Sequence, residues 1–189
     1  MKDQQLEWEG EQTPKPPYRS TLFDWGEALV VSITAVILVF TFCCRLIGVV
    51  GTSMVPTLQN QDQLLISNLF YEPEYGDIVV LTKRSFLDEP IVKRVIATEG
   101  QTVDIDFSTG TVTVDGQVLQ EDYIAEPTTL MGDMVFPCTV PENCVFVMGD
   151  NRNRSSDSRI AALGMVDERY ILGRVIWRVL PVSGFGRVA

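Results

Sequence analysis

The chain has 189 residues, 46% of them hydrophobic, and a formal net charge of −10, which allows one domain plus a membrane anchor. This acidic balance favours solubility and argues against nucleic-acid binding, which needs clustered lysine and arginine. The chain contains no histidine, and this excludes a Ser-His-Asp triad and histidine-based zinc sites.

The first segments along the chain are a polar tail and an apolar run. Residues 1–24 contain three prolines and no apolar period, so we expect them to be disordered. A stretch without charged residues then extends from Ala28 to Cys44, and apolar residues continue beyond Arg45. Its length is at the lower end of what crosses a bilayer, and Trp25 and Arg45 are placed to anchor the two interfaces. We therefore predict a transmembrane anchor over residues 25–47.

A cleaved signal peptide and a buried core helix are the alternatives for this apolar run. The preceding tail is long and no A-x-A cleavage pattern follows, which argues against the first alternative. The run is hydrophobic all round, which argues against the second. Three basic residues precede the run and only Arg45 follows it closely, so we predict a cytoplasmic N-terminus and an extracytoplasmic domain over residues 48–189.

Beyond the anchor, the hydrophobic pattern changes to the period of two that indicates β-strands. An Asp115-Gly116 pair between two alternating runs predicts a β-hairpin. Asp167–Leu172 is the segment that suggests a short helix. The predicted strands are Ile78–Leu81, Ile91–Ala97, Val103–Phe107, Thr111–Val114, Gln117–Leu119, Val145–Met148 and Val175–Leu180. We therefore expect a mainly β domain that is built from short strands.

Two of the four cysteines, Cys138 and Cys144, flank a short segment that contains a proline. Their spacing leaves open whether they form a disulfide in an oxidising compartment. The CxxC pattern of metal and redox sites is absent from the sequence.

Ser53 follows the apolar run by nine residues, in the sequence Gly51-Thr52-Ser53-Met54-Val55-Pro56-Thr57-Leu58. A serine in such a turn is most often structural. Here, however, Gly51 permits a close backbone approach and Pro56 stiffens the segment. A stiff turn holds a hydroxyl group and its own N–H toward a substrate carbonyl, so Ser53 is a candidate nucleophile. The G-x-S-x-G elbow of α/β-hydrolases is absent.

Without histidine, a serine nucleophile needs another base, and Lys93 is the best candidate. On a strand, Lys93 shares a face with Ile91 and Val95, and these aliphatic neighbours would desolvate it. Lowering its pKa from about 10.4 to about 8 requires roughly 3 kcal/mol, which burial can supply. A neutral lysine can take a proton from Ser53, whereas Arg94 cannot deprotonate. The alternative is a surface lysine on an edge strand.

The segment Gly149–Arg159 is dense in charged and hydroxyl groups and directly follows a predicted strand. It is either a solvated loop or a rigid, internally hydrogen-bonded loop whose serine positions the lysine ammonium. In the second interpretation, Asp157 and Arg159 form the ion pair that holds the loop. Asn153-Arg154-Ser155 also matches a glycosylation acceptor, a pattern that is common by chance.

Four motifs occur in one order: S-M-x-P-T-L after a membrane span, G-D-I-V, K-R-V-I and G-D-N-R-x-x-S-x-D-S-R. In these motifs, from about Trp25 to Leu180, the chain resembles type I signal peptidase, the Ser/Lys endopeptidase that releases secreted proteins from their signal peptides. The resemblance implies a coiled antiparallel β-sheet domain on one transmembrane helix. It also implies cleavage of preproteins after small residues in an A-x-A-like pattern, without a cofactor or metal.

The resemblance also implies roles for individual residues. Ser53 is implied as the nucleophile, Lys93 as the general base and Ser155 as a hydrogen-bond partner of the lysine. The residues implied to support the site are Asp150, Asn151, Arg152, Asp157 and Arg159. The residues implied to help line shallow pockets for small residues at positions −1 and −3 are Met54, Leu58, Ile91 and Val92.

One position departs from part of the family. Some members have a serine two residues before the nucleophile, where its hydroxyl completes the oxyanion hole, and this chain has Gly51 there. We expect the Ser53 N–H to supply one donor and Thr52 or a backbone group to supply the second, because a missing donor costs about 3 kcal/mol in a known case.

Three other classes compete with this interpretation. A self-cleaving peptidase of the repressor type needs a DNA-binding or partner segment where this chain has an apolar run. Penicillin-binding enzymes need S-x-x-K and K-T-G, which are absent. A membrane-anchored domain that binds exported chains without cutting them is disfavoured only by the pair of Ser53 and Lys93. The expected partners are therefore signal peptides and the lipid bilayer.

Overall fold

The computed structural model describes residues 18–42 and 44–188. The chain divides into two compact units, with the boundary between Val39 and Phe40. One helix, α1 (Tyr18–Phe42), supplies the described part of the first unit, and the second unit contains the strands. Most of the predicted disordered tail lies outside the described residues, and its last part, from Tyr18 onward, belongs to α1.

Helix α1 is the one helix of the described residues that is long and apolar enough to cross a membrane. The apolar segment is Thr21–Thr41, with a mean hydropathy of 1.9 and none of its length buried in protein. The hydroxyl groups of Ser32 and Thr34 donate to backbone carbonyls four residues earlier, at 2.7 and 2.8 Å. These bonds satisfy the polar groups of the helix internally, as an apolar environment requires.

The predicted end of the anchor, residue 47, is wrong as a helix boundary. Helix α1 ends at Phe42, and residues Arg45–Gly48 form a β-strand that pairs with Gln63–Ser67. Periodicity alone cannot separate a short apolar strand from the end of an apolar helix, because both are continuous hydrophobic runs.

The second unit is mainly β, as predicted. Its strands in chain order are β1 (Arg45–Gly48), β2 (Gln63–Ser67), β3 (Ile78–Leu81), β4 (Ile91–Ala97), β5 (Thr102–Asp106), β6 (Thr111–Val114), β7 (Gln117–Val118), β8 (Cys138–Thr139), β9 (Cys144–Met148), β10 (Val166–Asp167), β11 (Ile171–Leu180) and β12 (Gly186–Arg187). The predicted helix at Asp167–Leu172 is only a 3₁₀ turn, Glu168–Tyr170, because Ile171 already begins β11.

Eight strands form one antiparallel sheet in the order β1-β2-β11-β3-β4-β9-β10, with β12 also paired to β11. The long strand β11 has register shifts against both β2 and β3. Such irregularities bend a strand and increase its twist, so the sheet is curled rather than flat.

The other four strands form a smaller antiparallel sheet in the order β7-β6-β5-β8. Asp115 and Gly116 connect β6 to β7 with φ values of 51° and 76°, as the predicted two-residue hairpin requires. Cys138 in β8 and Cys144 in β9 are free thiols in this structure.

Three hydrophobic clusters form the core. The first cluster joins Met54 and Leu58 to β2, β3 and Val92, and so fixes the turn that carries Ser53. The second lies between the small sheet and residues such as Phe146, and the third packs Val79 of β3 against Val95 of β4 and neighbouring strands. Ser53 and Lys93 are therefore both attached to well-packed elements.

Candidate active site

The turn that carries Ser53 is held by backbone bonds and by two buried side chains. Val55 N–H donates to the Thr52 carbonyl at 3.2 Å, and Leu58 N–H donates to the Met54 carbonyl at 2.8 Å. Met54 and Leu58 are 2% and 0% exposed, whereas Ser53 is only partly buried. The buried side chains of Met54 and Leu58 thus hold the turn against the core, while Ser53 stays partly exposed.

Lys93 lies in β4 and is only 3% exposed. Its Cα partner across the sheet is Val79, and its alternate neighbours along the strand are Ile91 and Val95, so the predicted aliphatic surroundings are present. The Lys93 Nζ lies 2.8 Å from Ser53 Oγ and 3.0 Å from the Val92 carbonyl oxygen. Two residues that are 40 positions apart in sequence are therefore in direct hydrogen-bond contact.

The protonation of Lys93 follows from this location. Burial lowers the pKa of Lys93 from its ordinary value of 10.5 to about 8, while the carboxylates of Asp157 and Asp150 oppose the shift and the guanidinium of Arg159 adds to it. The neutral amine is therefore accessible near neutral pH, with its lone pair within reach of the Ser53 hydroxyl.

Asp150 connects the loop Gly149–Arg159, which we call the site loop, to the elements that carry Ser53 and Lys93. Its carboxylate accepts two bonds from Arg94, at 2.9 and 2.8 Å, and a third from the Thr57 hydroxyl. Arg94 directly follows Lys93 in β4, and Thr57 belongs to the turn of Ser53. Asp150 is 0% exposed, so this bidentate ion pair is fully removed from water.

Asn151 binds the Ser53 turn directly. Its backbone N–H donates to the Ser53 carbonyl at 2.9 Å, and its side-chain amide donates to the Thr52 carbonyl at 3.1 Å. These two bonds fix the peptide groups on both sides of Ser53. The support that the resemblance implied for Asn151 has a clear geometric basis.

The remaining support residues form two more buried ion pairs. Arg159 donates to both oxygens of Asp157, at 2.8 and 2.9 Å, and Asp157 also accepts the Gly149 N–H at 3.0 Å. Arg152, with no exposed surface, pairs with Glu121 and donates to the Gly149 carbonyl at 3.1 Å. Asp157 and Arg159 form the pair that was predicted from the loop sequence.

Ser155 differs from its prediction. Its Oγ is buried and has no hydrogen-bond partner within the described part of the chain, so the implied bond to Lys93 is not formed in this structure. The residue is nevertheless at the site, because a Cβ at Gly149 would lie 2.3 Å from Ser155 Oγ and 2.5 Å from the Ser53 carbonyl oxygen. At Gly149 the loop, Ser155 and the turn that carries Ser53 therefore approach too closely for a Cβ.

The region around Gly51 restricts the choice of oxyanion donors. Gly51 has a φ of +95°, which favours glycine, and its N–H donates to Asn60 Oδ1 at 3.0 Å. That N–H is thus already occupied, which leaves the groups of Thr52 and Ser53 as candidates in this turn.

The four residues implied to line the substrate pockets fall into two groups. Met54 and Leu58 present almost no surface, so in this conformation they form the wall behind the site rather than its face. Ile91 and Val92 lie at the start of β4, where β3 is the one strand of the described residues that pairs with it, because β9 pairs only from Arg94 onward. The Val92 side chain is itself buried beside Met54 and Leu58. Among the described residues, no cluster of acidic or sulfur ligands could hold a metal ion.

Sequence reasoning missed Arg94, Thr57, Glu121 and Tyr123 as parts of the site. Thr57 and Arg94 stand inside the quoted motifs, so their motif membership was an available signal. Glu121 and Tyr123 contact Arg152 of the loop, and Tyr123 also contacts Arg94, from a segment without a motif or a regular period, so only the fold brings them there.

The comparisons with known proteins concern the family of the chain. The family described as "Signal peptidase, peptidase S26" matches residues 22–180. The chain is 36% identical to a probable signal peptidase I-1 of Synechocystis over 85% of this chain and 83% of the relative. It is 34% identical to signal peptidase I of Bacillus licheniformis over 82% of this chain and 87% of the relative.

A solved structure of a signal peptidase I from Enterococcus faecalis is 30% identical to the chain and covers 55% of it, with 97% of that chain matched and a TM-score of 0.47. By the family match and the relatives from Synechocystis and Bacillus, the chain belongs to the signal peptidase family, peptidase S26, and it is a signal peptidase I-type enzyme.

Proposed function

We propose that this peptidase cuts signal peptides with a Ser53/Lys93 dyad at a membrane surface. The observation that carries the proposal is the 2.8 Å contact between Lys93 Nζ and Ser53 Oγ, made by a lysine that is 3% exposed. A nucleophile within hydrogen-bond reach of a desolvated amine is the arrangement that serine activation without histidine requires.

The reaction follows from the positions of these two groups. The neutral Lys93 amine accepts the Ser53 proton as Oγ attacks the scissile carbonyl carbon and forms the tetrahedral intermediate. The resulting ammonium gives its proton to the leaving amine as the C–N bond breaks. Lys93 then takes a proton from water, whose oxygen attacks the acyl-enzyme ester, and returns that proton to Ser53 as the acid product leaves.

The oxyanion hole would use donors from the Ser53 turn. The Ser53 N–H supplies one donor, and Thr52 supplies the second, since the Gly51 N–H is engaged with Asn60. Asn151 holds the Thr52 carbonyl, so the peptide between Thr52 and Ser53 is fixed before substrate arrives. Such preorganised donors are worth several kcal/mol in acyl transfer.

Ser155 would act when Lys93 is charged. Its buried, unpaired hydroxyl is costly unless it gains a partner. In the proposed role, a rotation about its Cα–Cβ bond would bring Oγ to accept a bond from the Lys93 ammonium, which exists after proton transfer from Ser53. In this role Ser155 positions the lysine and favours the charged intermediate.

The substrate would bind as an additional strand. The start of β4 at Ile91 and Val92, which β9 leaves unpaired, offers backbone groups for β-augmentation beside Lys93. Ile91 and Val92, with Met54 and Leu58 behind them, would limit the pockets for positions −1 and −3 to small residues. Larger side chains would then clash, which gives A-x-A-like specificity.

The location of the enzyme would be the cell membrane. Helix α1 is the anchor, the residues before it are the cytoplasmic tail, and the β domain is extracytoplasmic. Within the β domain, Leu69 and the 97% exposed Phe70 line the same surface cavity as Cys44 and Arg45, the first described residues after α1. Exposed apolar side chains close to residues that follow the anchor in sequence are suited to contact with lipid.

The test is cleavage of a purified preprotein by the full chain in detergent or vesicles. Wild type should release the mature protein, whereas Ser53→Ala and Lys93→Ala should leave the preprotein uncut and keep a folded β domain by circular dichroism. Equal lack of cleavage by wild type and Ser53→Ala would instead favour a protein that binds exported chains without cutting them.

A further inference from the structure

Two side chains of the segment between β7 and β8 contact the buried arginines around Asp150. Neither side chain belongs to a sequence motif of the site. Glu121, whose side chain is 7% exposed, pairs with Arg152 through both carboxylate oxygens. Tyr123 places its ring 4.0 Å from the guanidinium carbon of Arg94 and 5.9 Å from that of Arg152. Both guanidinium groups that surround Asp150 are therefore contacted by this segment.

We propose that Glu121 and Tyr123 are positioning residues for the Ser53/Lys93 pair, acting through Arg152 and Arg94. The inference rests on the proposed function of that pair.

The route from Tyr123 to the catalytic groups has few links. Tyr123 stacks on Arg94, which neighbours Lys93 in β4 and holds Asp150 with two bonds. Asp150 binds Thr57 in the nucleophile turn and so sets the distance between that turn and β4. The ring limits where the Arg94 guanidinium can lie, and a cation–π contact that is shielded from water is stronger than an exposed one.

The route from Glu121 depends on charge. Arg152 has no exposed surface, so its guanidinium needs a carboxylate partner inside the protein. Apart from Glu121, the carboxylate that acts electrostatically on Arg152 is Asp150, which Arg94 and Thr57 use. Competition for Asp150 would displace Arg94 and, through it, Lys93. Glu121 therefore keeps Asp150 available for its two partners.

The backbone of the segment strengthens both routes. Ala125 N–H donates to the Asp150 carbonyl at 3.1 Å, and the Thr128 hydroxyl accepts from Arg152 at 2.9 Å. Burial, the Glu121 carboxylate and a side-chain bond with Tyr75 raise the pKa of Tyr123 above its ordinary value, so the phenol stays neutral beside the two guanidinium groups. The two side chains are thus fixed relative to the site loop.

The experiment measures preprotein cleavage by the full chain for Glu121→Gln and Tyr123→Leu. We expect kcat to fall about tenfold in each, with KM little changed, because a small misplacement of catalytic groups costs rate rather than binding. Tyr123→Phe keeps the ring and should retain wild-type kcat. Glu126→Gln, an exposed glutamate of the same segment, is the control and should also match wild type.

A second readout separates positioning from simple stabilisation. The groups that set the charge around Lys93 are Asp150, Asp157 and Arg159. In Glu121→Gln, Asp150 is drawn toward Arg152 and stabilises the ammonium form of Lys93 less, which lowers the pKa of Lys93. The fall of kcat on the acid side, the acid limb, should therefore move to lower pH. A variant that is only less stable would show a lower melting temperature and an unchanged acid limb.

The inference is overturned if folded Glu121→Gln and Tyr123→Leu keep the wild-type kcat and acid limb. It is also overturned if Tyr123→Phe loses as much activity as Tyr123→Leu, since the ring would then not be the active feature. These outcomes are independent of the dyad, because Ser53→Ala remains inactive beside an active wild type in either case. Loss of that distinction would refute the proposed function instead.

Discussion

Two Asp-x-Arg segments of this protein form the same local ion pair in opposite surroundings. In the site loop, Arg159 Nε and Nη2 bond to the two oxygens of Asp157 at 2.8 and 2.9 Å. In the turn before β11, Arg169 makes the same two bonds to Asp167 at 2.9 and 2.7 Å. The side chains of the first pair are 2% and 0% exposed, and the Arg169 side chain of the second is 85% exposed.

The difference shows that geometry alone does not define a functional ion pair. Asp167 and Arg169 are solvated, and pairs of this kind contribute little to stability. Asp157 and Arg159 are instead buried, so each charge is stabilised by the other rather than by water. Asp157 holds Gly149, and Arg159 also donates to the Leu130 carbonyl at 2.9 Å, so the buried pair connects three segments around Lys93.

The largest expected effect breaks the buried pair. Asp157→Ala leaves the Arg159 charge without its partner and should lower the free energy of unfolding by about 3–5 kcal/mol. Asp167→Ala, the matched change in the exposed pair, should have little effect. Urea unfolding of both variants measures the difference. Similar losses in the two variants would contradict the role that we assign to burial.

A smaller effect of opposite sign is expected from Lys93, a buried cation of the same region for which the described residues show hydrogen bonds but no ion pair. The folded chain releases the Lys93 proton near pH 8 and the unfolded chain near 10.5, so stability should rise with pH between these values. Below pH 8 the full cost of burial is present, about 3 kcal/mol.

Lys93→Met removes that cost and should raise the free energy of unfolding at pH 7 by up to about 3 kcal/mol while abolishing cleavage. Denaturant unfolding at pH 7 and at pH 10.5 tests the sign, because the gain should disappear at the higher pH. A variant that is less stable than wild type at pH 7 would mean that Lys93 is not a destabilising group.

The smallest of these effects concerns packing in the site loop. Gly149→Ala places a Cβ 2.3 Å from Ser155 Oγ and 2.5 Å from the Ser53 carbonyl oxygen, and such overpacking costs about 1–3 kcal/mol. We expect a large loss of activity, since the clash displaces Ser53 itself. Gly100→Ala, in an open turn with φ of +77°, should strain only its own backbone and leave kcat unchanged.

Much of the fold could be predicted from the sequence where strands alternate or turns carry clear signals. Ile91–Ala97 and Thr111–Val114 have the predicted bounds, and the Asp115-Gly116 hairpin is confirmed. The strands that were missed have two residues or, like Gln63–Ser67, hold consecutive apolar residues without alternation. Such segments become strands through their partners in the sheet rather than through a local pattern.

The site was predictable to the extent that its residues lie in motifs. Lys93 was chosen because no histidine was present and its strand neighbours are aliphatic, and the structure places it beside Ser53. The contacts of Glu121 and Tyr123 could not be predicted, since they join an irregular segment to Arg94 of β4 and to Arg152 of the site loop, each about 30 residues away in sequence. Whether the Ser155 hydroxyl forms a hydrogen bond depends on the side-chain rotamer, which no sequence pattern specifies.

The most direct test of the central claim, a neutral buried lysine as the base, is the pH dependence of kcat/KM for preprotein cleavage by the full chain. The Lys93 amine must be unprotonated in the free enzyme, and its pKa is lowered to about 8. We therefore predict that kcat/KM falls tenfold per pH unit below about pH 8 and reaches a plateau above it. Full activity at pH 5 would contradict Lys93 as the base.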